Sequence, residues 1–218
     1  PSRNLPIASL DAGLVFERDA RWFGHAVTQT LEPRLFYAYI PFRAQAGLPN
    51  FDSAFADFNF AQLFAENVFV GGDRIGQANQ LTAAAVSRIL DPASGEERVR
   101  AAIGQRFYFS PQGVSLPGGA SRTDRESDLL LAIAGRLSNE FTADFAVQHS
   151  TLQRQVVRAA VGLRWSPRPA SVVSLAYRYK INELEQIDLA GQWPLSERWY
   201  GVGRVNWSFR EQRAVELL

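Results

Sequence analysis

The chain has 218 residues, a formal net charge of +1, two histidines, and neither cysteine nor methionine. These features exclude disulfides and cysteine-based metal sites, and a chain so close to neutral has no bulk attraction for nucleic acid. We therefore predict no metal site, no cofactor and no nucleic-acid partner, and the longest apolar run, which begins at Leu129, is far too short for a transmembrane helix.

The first two predicted elements are strands over Ala8–Glu17 and Thr28–Ile40. Apolar and polar residues alternate along both at a period of two, which indicates strands whose two faces meet different environments. The segment between them reverses the chain. Pro33 lies inside the second strand and cannot donate a ladder hydrogen bond, so we expect a bulge there.

A single connection, residues 41–75, follows these strands and is rich in phenylalanine, glycine and aspartate. Connections of this length are usually functional or disordered, and the phenylalanines argue against disorder. The pattern predicts a short helix within residues 51–67 that is opened by Asp52 or Ser53. If the strands close into a barrel, we expect this loop to fold back over or into the lumen and to bury its phenylalanines.

The clearest strand pair is a hairpin over Gly76–Pro111, and each of its arms is long enough to cross a bilayer, which takes about 9 to 11 tilted residues. A polar loop, Gln112–Arg125, comes next. The remaining strands have short connections and are predicted at Ser127–Leu137, Phe141–Ser150, Val156–Trp165, Ser171–Ile181, Gln186–Trp193 and Arg198–Phe209, with a further strand beginning at Ala214. About ten strands joined without helices should pair antiparallel with their neighbours.

Successive residues of a strand point to opposite sides of the sheet. With one choice of orientation for each predicted strand, its charged residues all lie on the same side, which we call the polar face. The large apolar residues then lie on the other side, which we call the apolar face. The polar face carries Asp11, Glu17, Glu32, Arg34, Arg88, Arg98, Arg100, Arg106, Asp128, Arg136, Asp144, Arg158, Arg164, Arg178, Lys180, Asp188, Arg198 and Arg204. These twelve basic and six acidic residues leave six surplus positive charges. On the apolar face the aromatic residues collect at strand ends, as in the girdles of membrane barrels. A soluble sandwich also excludes charge from its core, so the alternation alone leaves that alternative open.

Connection lengths favour a membrane protein. The two longest connections, 41–75 and 112–125, emerge on one side of the predicted sheet, and the connections on the other side are short. Transmembrane barrels show this asymmetry, with the long loops outside the cell. We predict an all-β fold, an antiparallel meander that forms part of a large transmembrane outer-membrane β-barrel. Residues 1–218 would be a single partial barrel domain, with 41–75 as a long extracellular loop.

A basic barrel lumen favours anionic cargo, because guanidinium groups bind phosphate bidentately. The same arginines could instead pair with carboxylates across strands and stiffen the wall. No enzyme is predicted, since His149 and Ser150 are adjacent in a strand, point to opposite faces and cannot act as base and nucleophile. A passive anion-selective outer-membrane porin and a soluble β protein remain alternatives.

Short sequence words, in order between about residues 8 and 110, carry a family resemblance. They are Phe16-Glu17-Arg18, Gln29-Thr30-Leu31-Glu32-Pro33-Arg34, Tyr39-Ile40-Pro41, Asp73-Arg74-Ile75, Ala78-Asn79-Gln80, Ser87-Arg88 and Gly104-Gln105-Arg106-Phe107-Tyr108-Phe109. Together they resemble the C-terminal barrel of the LptD family, the outer-membrane lipopolysaccharide-assembly proteins. The later strands agree with the family in pattern more than in words.

The resemblance implies a gram-negative outer-membrane protein that receives lipopolysaccharide from a periplasmic Lpt bridge and inserts it into the outer leaflet. It implies the lipoprotein LptE as a plug in the lumen, outer-membrane lipids around the barrel, and no covalent chemistry. The chain departs from the family by lacking the N-terminal periplasmic domain that meets the bridge, the cysteines, and the strands that seal the barrel. With Pro1 at the first position, this predicts a fragment from the middle of the barrel wall.

Four arginines of the polar face become candidate site residues under this resemblance. The hypothesis is that Arg34, Arg88, Arg100 and Arg106 line the lumen near the path of the phosphorylated saccharide. The planar guanidinium fork suits such a path because it matches the geometry of phosphate oxygens.

Overall fold

The structure, a computed structural model, describes residues 4–45, 47–119, 122–196 and 198–218. The predicted connections 41–75 and 112–125 each include positions outside these ranges. The described residues contain β-strands and one 3-10 turn, Gln62–Phe64, and none of their helical structure has the length and hydropathy to span a bilayer. The strands are β1 (Ala8–Gly13), β2 (Phe16–Trp22), β3 (His25–Ile40), β4 (Ala54–Phe55), β5 (Phe69–Val70), β6 (Ala78–Leu90), β7 (Glu97–Tyr108), β8 (Leu129–Arg136), β9 (Phe141–Ser150), β10 (Gln155–Arg168), β11 (Ser171–Lys180), β12 (Leu184–Ser196), β13 (Trp199–Ser208) and β14 (Arg213–Leu217).

Twelve of these strands form one sheet in the order β1-β3-β6-β7-β8-β9-β10-β11-β12-β13-β14, and β2 also pairs with β3. From β9 to β14, each strand pairs antiparallel with the next one in the chain. The two short strands β4 and β5 pair with each other in a separate sheet. The prediction of an all-β antiparallel meander is confirmed.

Strand bounds follow the predicted pattern closely in the later part of the chain. Strand β9 has the predicted bounds, and β11 differs only at its last residue. The first predicted strand, Ala8–Glu17, is wrong in extent, because it divides into β1 and the beginning of β2. The longer strands also place charges in the phase of the apolar face. Among them, Arg18 and Glu185 hydrogen-bond to Gln29 and Tyr177, and Arg168 lies over the Trp193 ring. The separation of charge between the two faces is therefore less complete than predicted.

The break between β1 and β2 lies opposite Pro33. The flanking pairs are Gly13 with Arg34 and Phe16 with Leu31, so both strands keep one register against β3. The predicted bulge is therefore wrong for this pairing, since the ladder is interrupted without an added residue. Proline has no backbone N–H to offer the opposite strand, although the Pro33 carbonyl still accepts a hydrogen bond from the residue that follows β1 (3.1 Å).

The chain divides into two compact units. The first unit comprises Pro1–Val15, Glu32–Ala85 and Ile103–Leu130. The second unit comprises Phe16–Leu31, Val86–Ala102 and Leu131–Leu218.

The core of the first unit lies on the polar face. It consists of the buried residues Phe36, Ala38 and Ile40 of β3 and Ala78 of β6, against which Phe64 of the loop packs. The polar-face phase of β3 turns apolar over these residues, so loop 41–75 can cover that end of the strand.

The second unit has polar groups on its covered side and apolar groups on its exposed side. Asp188, Asn206 and Ser208 are buried, whereas Ile133 is 52% and Leu189 49% exposed. The buried Asp188 carboxylate accepts two hydrogen bonds from Arg204 across the strands, at 2.8 and 2.9 Å. This is the reverse of a soluble protein, in which large apolar side chains are buried and charged side chains face water.

We expect the carboxyl group of Asp91, in the turn between β6 and β7, to titrate near pH 2. It accepts hydrogen bonds from the backbone N–H groups of Ser94 and Ala93 (both 3.0 Å) and from the Ser94 hydroxyl (3.1 Å). These bonds lower the pKa of Asp91 from 3.8 to about 2. Because the folded-state pKa is the lower one, the carboxylate stabilises the turn fully above about pH 4 and loses that effect as pH falls through about 2.

A ¹³C NMR titration of the labelled aspartates measures this pKa, with Asp91→Asn to assign the signal. Ser94→Ala removes the bond from the Ser94 hydroxyl and should raise the pKa of Asp91 part of the way towards 3.8. A wild-type midpoint near 3.8, or a midpoint that Ser94→Ala leaves in place, contradicts this description of the turn.

Candidate functional site

The polar face of the first unit is covered, although its side chains are polar. Gln80 and Thr82 of β6 and Arg106 of β7 are at most 2% exposed. On the apolar face, Leu35 of β3 is 50% and Ile103 of β7 43% exposed. The cover on the polar face is loop 41–75, which makes this face and its loop the candidate functional site.

Two aspartates tie the ends of loop 41–75 together. The carboxylate of Asp52 accepts hydrogen bonds from the backbone N–H groups of Gly72 (3.1 Å) and Asp73 (3.2 Å). In return, the carboxylate of Asp73 accepts those of Phe51 (2.5 Å) and Asp52 (3.0 Å). The bonds from Phe51 and Asp52 lower the pKa of Asp73 below its ordinary value. Hydrogen bonds to an ionised carboxylate are stronger than neutral ones, so the loop is closed firmly at this point.

Two more side chains fasten the same region to backbone groups. The buried guanidinium of Arg74 donates to the carbonyls of Leu48 (2.8 Å) and Pro49 (3.1 Å). The amide of Gln45 donates to the Ile75 carbonyl (2.7 Å) and accepts from the Ile75 N–H (3.2 Å). Loop 41–75 therefore has a defined structure, as its phenylalanine content predicted.

Replacing Gly71 with alanine should open loop 41–75. Gly71 has a φ of +83°, and a Cβ there would lie 2.4 Å from the Asp52 carbonyl oxygen. The left-handed conformation costs an L-residue about 1–2 kcal/mol even without this clash. We expect the Asp52–Asp73 closure to break, and limited proteolysis of the full-length protein should cut the loop faster.

Gly72→Ala is the matched control for this experiment. Its Cβ would meet only a carboxylate oxygen at 3.9 Å, and Gly72 has no positive φ. Equal cleavage rates in Gly71→Ala and Gly72→Ala would show that Gly71 is not required for the closure.

Arg106 anchors the loop to the sheet. Its Nη2 donates to the carbonyls of Gln62 and of Ala65 (3.1 Å), at the two ends of the 3-10 turn. Its Nε lies 3.4 Å from the hydroxyl of Thr82, and that hydroxyl donates to the Leu63 carbonyl at 2.5 Å. Arg106 was predicted to line the lumen, and the structure shows where its guanidinium is engaged: it holds the turn in place.

Packing beneath the turn depends on a glycine in β7. Leu63 is fully buried, and a Cβ at Gly104 would lie 2.7 Å from Leu63 Cδ1 and 3.2 Å from the Ala84 side chain. The absence of a side chain at Gly104 therefore provides the space into which Leu63 inserts.

Arg34 contacts the same turn of the loop. Its guanidinium binds the Asp11 carboxylate with two hydrogen bonds, at 2.9 and 2.5 Å. The Arg34 Cζ atom also lies 3.9 Å from the centre of the Phe64 ring. The Asp11–Arg34 pair fits the alternative in which arginines stiffen the wall across strands, and because both side chains are partly exposed its contribution to stability is modest.

The other two predicted arginines belong to the second unit. Arg88 of β6 forms an ion pair with Glu97 at 3.1 Å. Arg100 of β7 is exposed. The loop turn thus brings Arg34 and Arg106 together within the first unit, and the second unit contains Arg88 and Arg100.

The predicted helix within residues 51–67 is wrong. Pairing of β4 with β5 occupies Ala54–Phe55, and the only helical structure described in this segment is the 3-10 turn. Asn59 caps that turn by accepting hydrogen bonds from the N–H groups of Ala61 (2.9 Å) and Gln62 (3.1 Å). The predicted caps serve the closure of the loop instead, since the Ser53 hydroxyl accepts from the Arg74 N–H at 2.9 Å.

The loop lies against the polar face, and its phenylalanines, which were predicted to be buried, are only partly buried. Phe69 is buried, whereas Phe51 is 86% and Phe55 55% exposed. The fully buried apolar side chain of the loop is Leu63, and polar bonds to Arg106 and Thr82 hold the turn around it. The prediction that the loop buries its phenylalanines is therefore wrong for several of them, and its placement over or into a lumen stays a prediction.

Sequence reasoning missed Arg122. It lies in a loop without a periodic pattern, and its guanidinium stacks on Tyr108 with Cζ 3.1 Å from the ring centre. Burial lowers the pKa of Arg122 below its ordinary value. The only sequence signal for such a residue is the high arginine content of the chain, which does not distinguish Arg122 from the other arginines.

Comparisons with known proteins point to one family. The family model "LptD: LPS transport system D" matches residues 1–199. A protein named LPS-assembly protein LptD from Thiobacillus denitrificans is 46% identical over 216 residues, which cover 99% of this chain and 30% of that protein. Proteins of the same name from Aromatoleum aromaticum and Bordetella pertussis are 48% and 46% identical over 100% and 98% of this chain, and the aligned part is 28% of each. The chain therefore spans less than a third of the length of these relatives.

Proposed function

The chain belongs to the LptD family, and from this membership we propose that it serves in lipopolysaccharide transport and assembly at the outer membrane. In this proposal it forms part of the barrel wall of a translocon that inserts lipopolysaccharide into the outer leaflet. The names of its relatives favour this function, and nothing in the comparisons favours a passive porin.

We place the chain in the gram-negative outer membrane as part of a multi-pass β-barrel, with residues 1–218 as one partial barrel domain. The observation that carries this placement is the reversed burial in both units. Leu35, Ile103 and Leu189 are exposed, while Thr82 and Asp188 are buried on the opposite side of their strands. Such strands suit a wall with lipid on one face and polar contents on the other.

The proposed partners follow from family membership. They are lipopolysaccharide as cargo, the lipoprotein LptE as a plug in the lumen, the periplasmic Lpt bridge acting through an N-terminal domain, and the lipids of the outer membrane. In this arrangement the polar face would line the lumen, where LptE and cargo would meet it.

Loop 41–75 would be extracellular and would cover the outer end of the lumen. Arg34, Arg88, Arg100 and Arg106 would lie along the path of the phosphorylated saccharide. Arg100, which is exposed, suits direct contact with cargo. The bonds from Arg106 to the carbonyls of Gln62 and Ala65 suit a positioning role, in which the residue sets how far the loop covers the path.

Depletion of the full-length protein in cells tests this function. We expect the protein in the outer-membrane fraction, and we expect newly made lipopolysaccharide to disappear from the cell surface when the protein is depleted. Reconstituted protein should not conduct ions steadily if the lumen is plugged. Recovery of the protein in the soluble fraction, or unchanged surface lipopolysaccharide after depletion, would contradict the proposal. Steady anion conductance would favour the porin.

A further inference from the structure

A cavity of about 190 Å³ lies within the first unit, where loop 41–75 meets the end of β7 and the connection that follows β7. Its lining includes Phe55 and Phe58 from the loop, Arg106 and Tyr108 from β7, and Val114 and Arg122 from the connection. None of the described residues that line it is acidic. Two arginines thus line one partly apolar cavity, and the described part of its wall contains no carboxylate.

Arg122, which lines this cavity, has an unused hydrogen-bond donor. Its Nη1 atom is buried and has no hydrogen-bond partner. The residue is held in place from two sides, because the Gln112 N–H donates to the Arg122 carbonyl at 2.8 Å and the guanidinium stacks on Tyr108. Tyr108 and Asp124 partly offset the lowering of the Arg122 pKa by burial, and the acidic residue of the two, Asp124, is outside the lining. A buried, charged N–H group without an acceptor is unfavourable, and an anion in the cavity would supply the acceptor.

Arg106 adds a second positive charge, and the groups that accept hydrogen bonds from it are neutral. The acceptors of its guanidinium are the carbonyls of Gln62 and Ala65 and the hydroxyls of Thr82 and Tyr108. Its charge and that of Arg122 repel each other. An anion between the two would relieve this repulsion and would gain from the low dielectric of a buried site.

We propose that this cavity binds an anion of the phosphate class, either inorganic phosphate or a phosphate monoester, between Arg106 and Arg122. Phosphate fits better than a single carboxylate because its terminal oxygens can accept from two guanidinium groups at once. The cavity has room for more than a phosphate group, and Phe55 and Phe58 offer an apolar wall to whatever carries it. The site would bind phosphate whether or not it lies on the route that lipopolysaccharide takes.

Calorimetric titration of the full-length protein in detergent with inorganic phosphate tests the proposal. Wild-type protein should bind phosphate, and Arg122→Gln should weaken the affinity at least about tenfold, because it removes a charged donor. Arg122→Lys keeps the charge without the fork and should fall between the two. Arg125→Gln, in the same connection but exposed, is the matched control and should stay within about twofold of wild type.

A phosphorylated glycolipid in micelles and its dephosphorylated form identify the source of the anion. Competition by the phosphorylated form alone indicates a lipid headgroup, and binding of inorganic phosphate without such competition indicates a free anion. Both results support the site. In wild-type protein, phosphate should also slow hydrogen exchange of the Gln112 N–H, a readout that needs no variant. Absence of phosphate binding and of this protection, or an Arg122→Gln affinity equal to that of wild type, overturns the proposal.

Discussion

Arg106→Leu should release the 3-10 turn of loop 41–75 from the polar face. The substitution removes the guanidinium donor from the carbonyls of Gln62 and Ala65 and a contact to Thr82, while the Gln62 carbonyl keeps the Ala65 N–H as a donor at 3.2 Å. Hydrogen bonds from a charged donor contribute about 1.5–3 kcal/mol each, and two are lost here, so we expect the free energy of opening the turn to fall by about 3 kcal/mol. Hydrogen exchange of the Phe64 and Ala65 N–H groups should then be about 100-fold faster.

Arg100→Leu is the control for this prediction, since it makes the same substitution at an exposed arginine of the same strand. Exchange in the loop should be unchanged in this variant. If Arg106→Leu leaves the exchange of residues 62–65 at the wild-type rate, Arg106 does not anchor the loop. If export of lipopolysaccharide is also normal in Arg106→Leu, the residue has no part in the proposed path.

Ile133→Arg should prevent stable assembly of the protein in the membrane. Ile133 lies within β8 on the apolar face and is 52% exposed. An arginine on a lipid-facing position near the bilayer midplane costs about 2–4 kcal/mol, a large part of the stability of a typical domain. The folded fraction in cells, measured by heat-modifiable migration of the full-length protein, should fall sharply.

The neighbouring residue provides the comparison. Ala134 is also exposed but points to the polar face, which it shares with Arg136. Ala134→Arg should therefore assemble at close to the wild-type level, because its guanidinium would stay in polar surroundings. Equal assembly of the two variants would mean that the apolar face does not contact lipid while the polar face contacts polar surroundings.

The strands could be predicted because their signal is local. Alternation at a period of two is contained in each segment, and it gave the bounds of β9 and the phase in which Ile133 and Leu189 are exposed. Where β1 ends and β2 begins depends on Pro33 of the partner strand, so the break between them could not be read from the alternation of Ala8–Glu17 alone.

The contacts of loop 41–75 could not be predicted from local pattern. Arg106 and Gln62 are 44 positions apart, and the bond between them depends on how the loop closes. That closure depends on Asp52 and Asp73, whose residue types are equally typical of a helix cap and of a turn. Arg122 was missed for the same reason, since its stacking on Tyr108 joins a loop without periodic pattern to the end of a strand.

The central claim is that the polar face meets lipopolysaccharide or its protein plug, while the apolar face meets membrane lipid. Photo-crosslinking in cells, with the full-length protein, tests it most directly. Crosslinkers would replace three polar-face and three apolar-face residues: Arg34, Arg100 and Arg164, and Leu35, Ile103 and Leu163. The polar set should capture lipopolysaccharide or a lipoprotein, and the apolar set only bulk lipid. Capture of lipid by neither set would contradict the membrane placement and, with it, the proposed function.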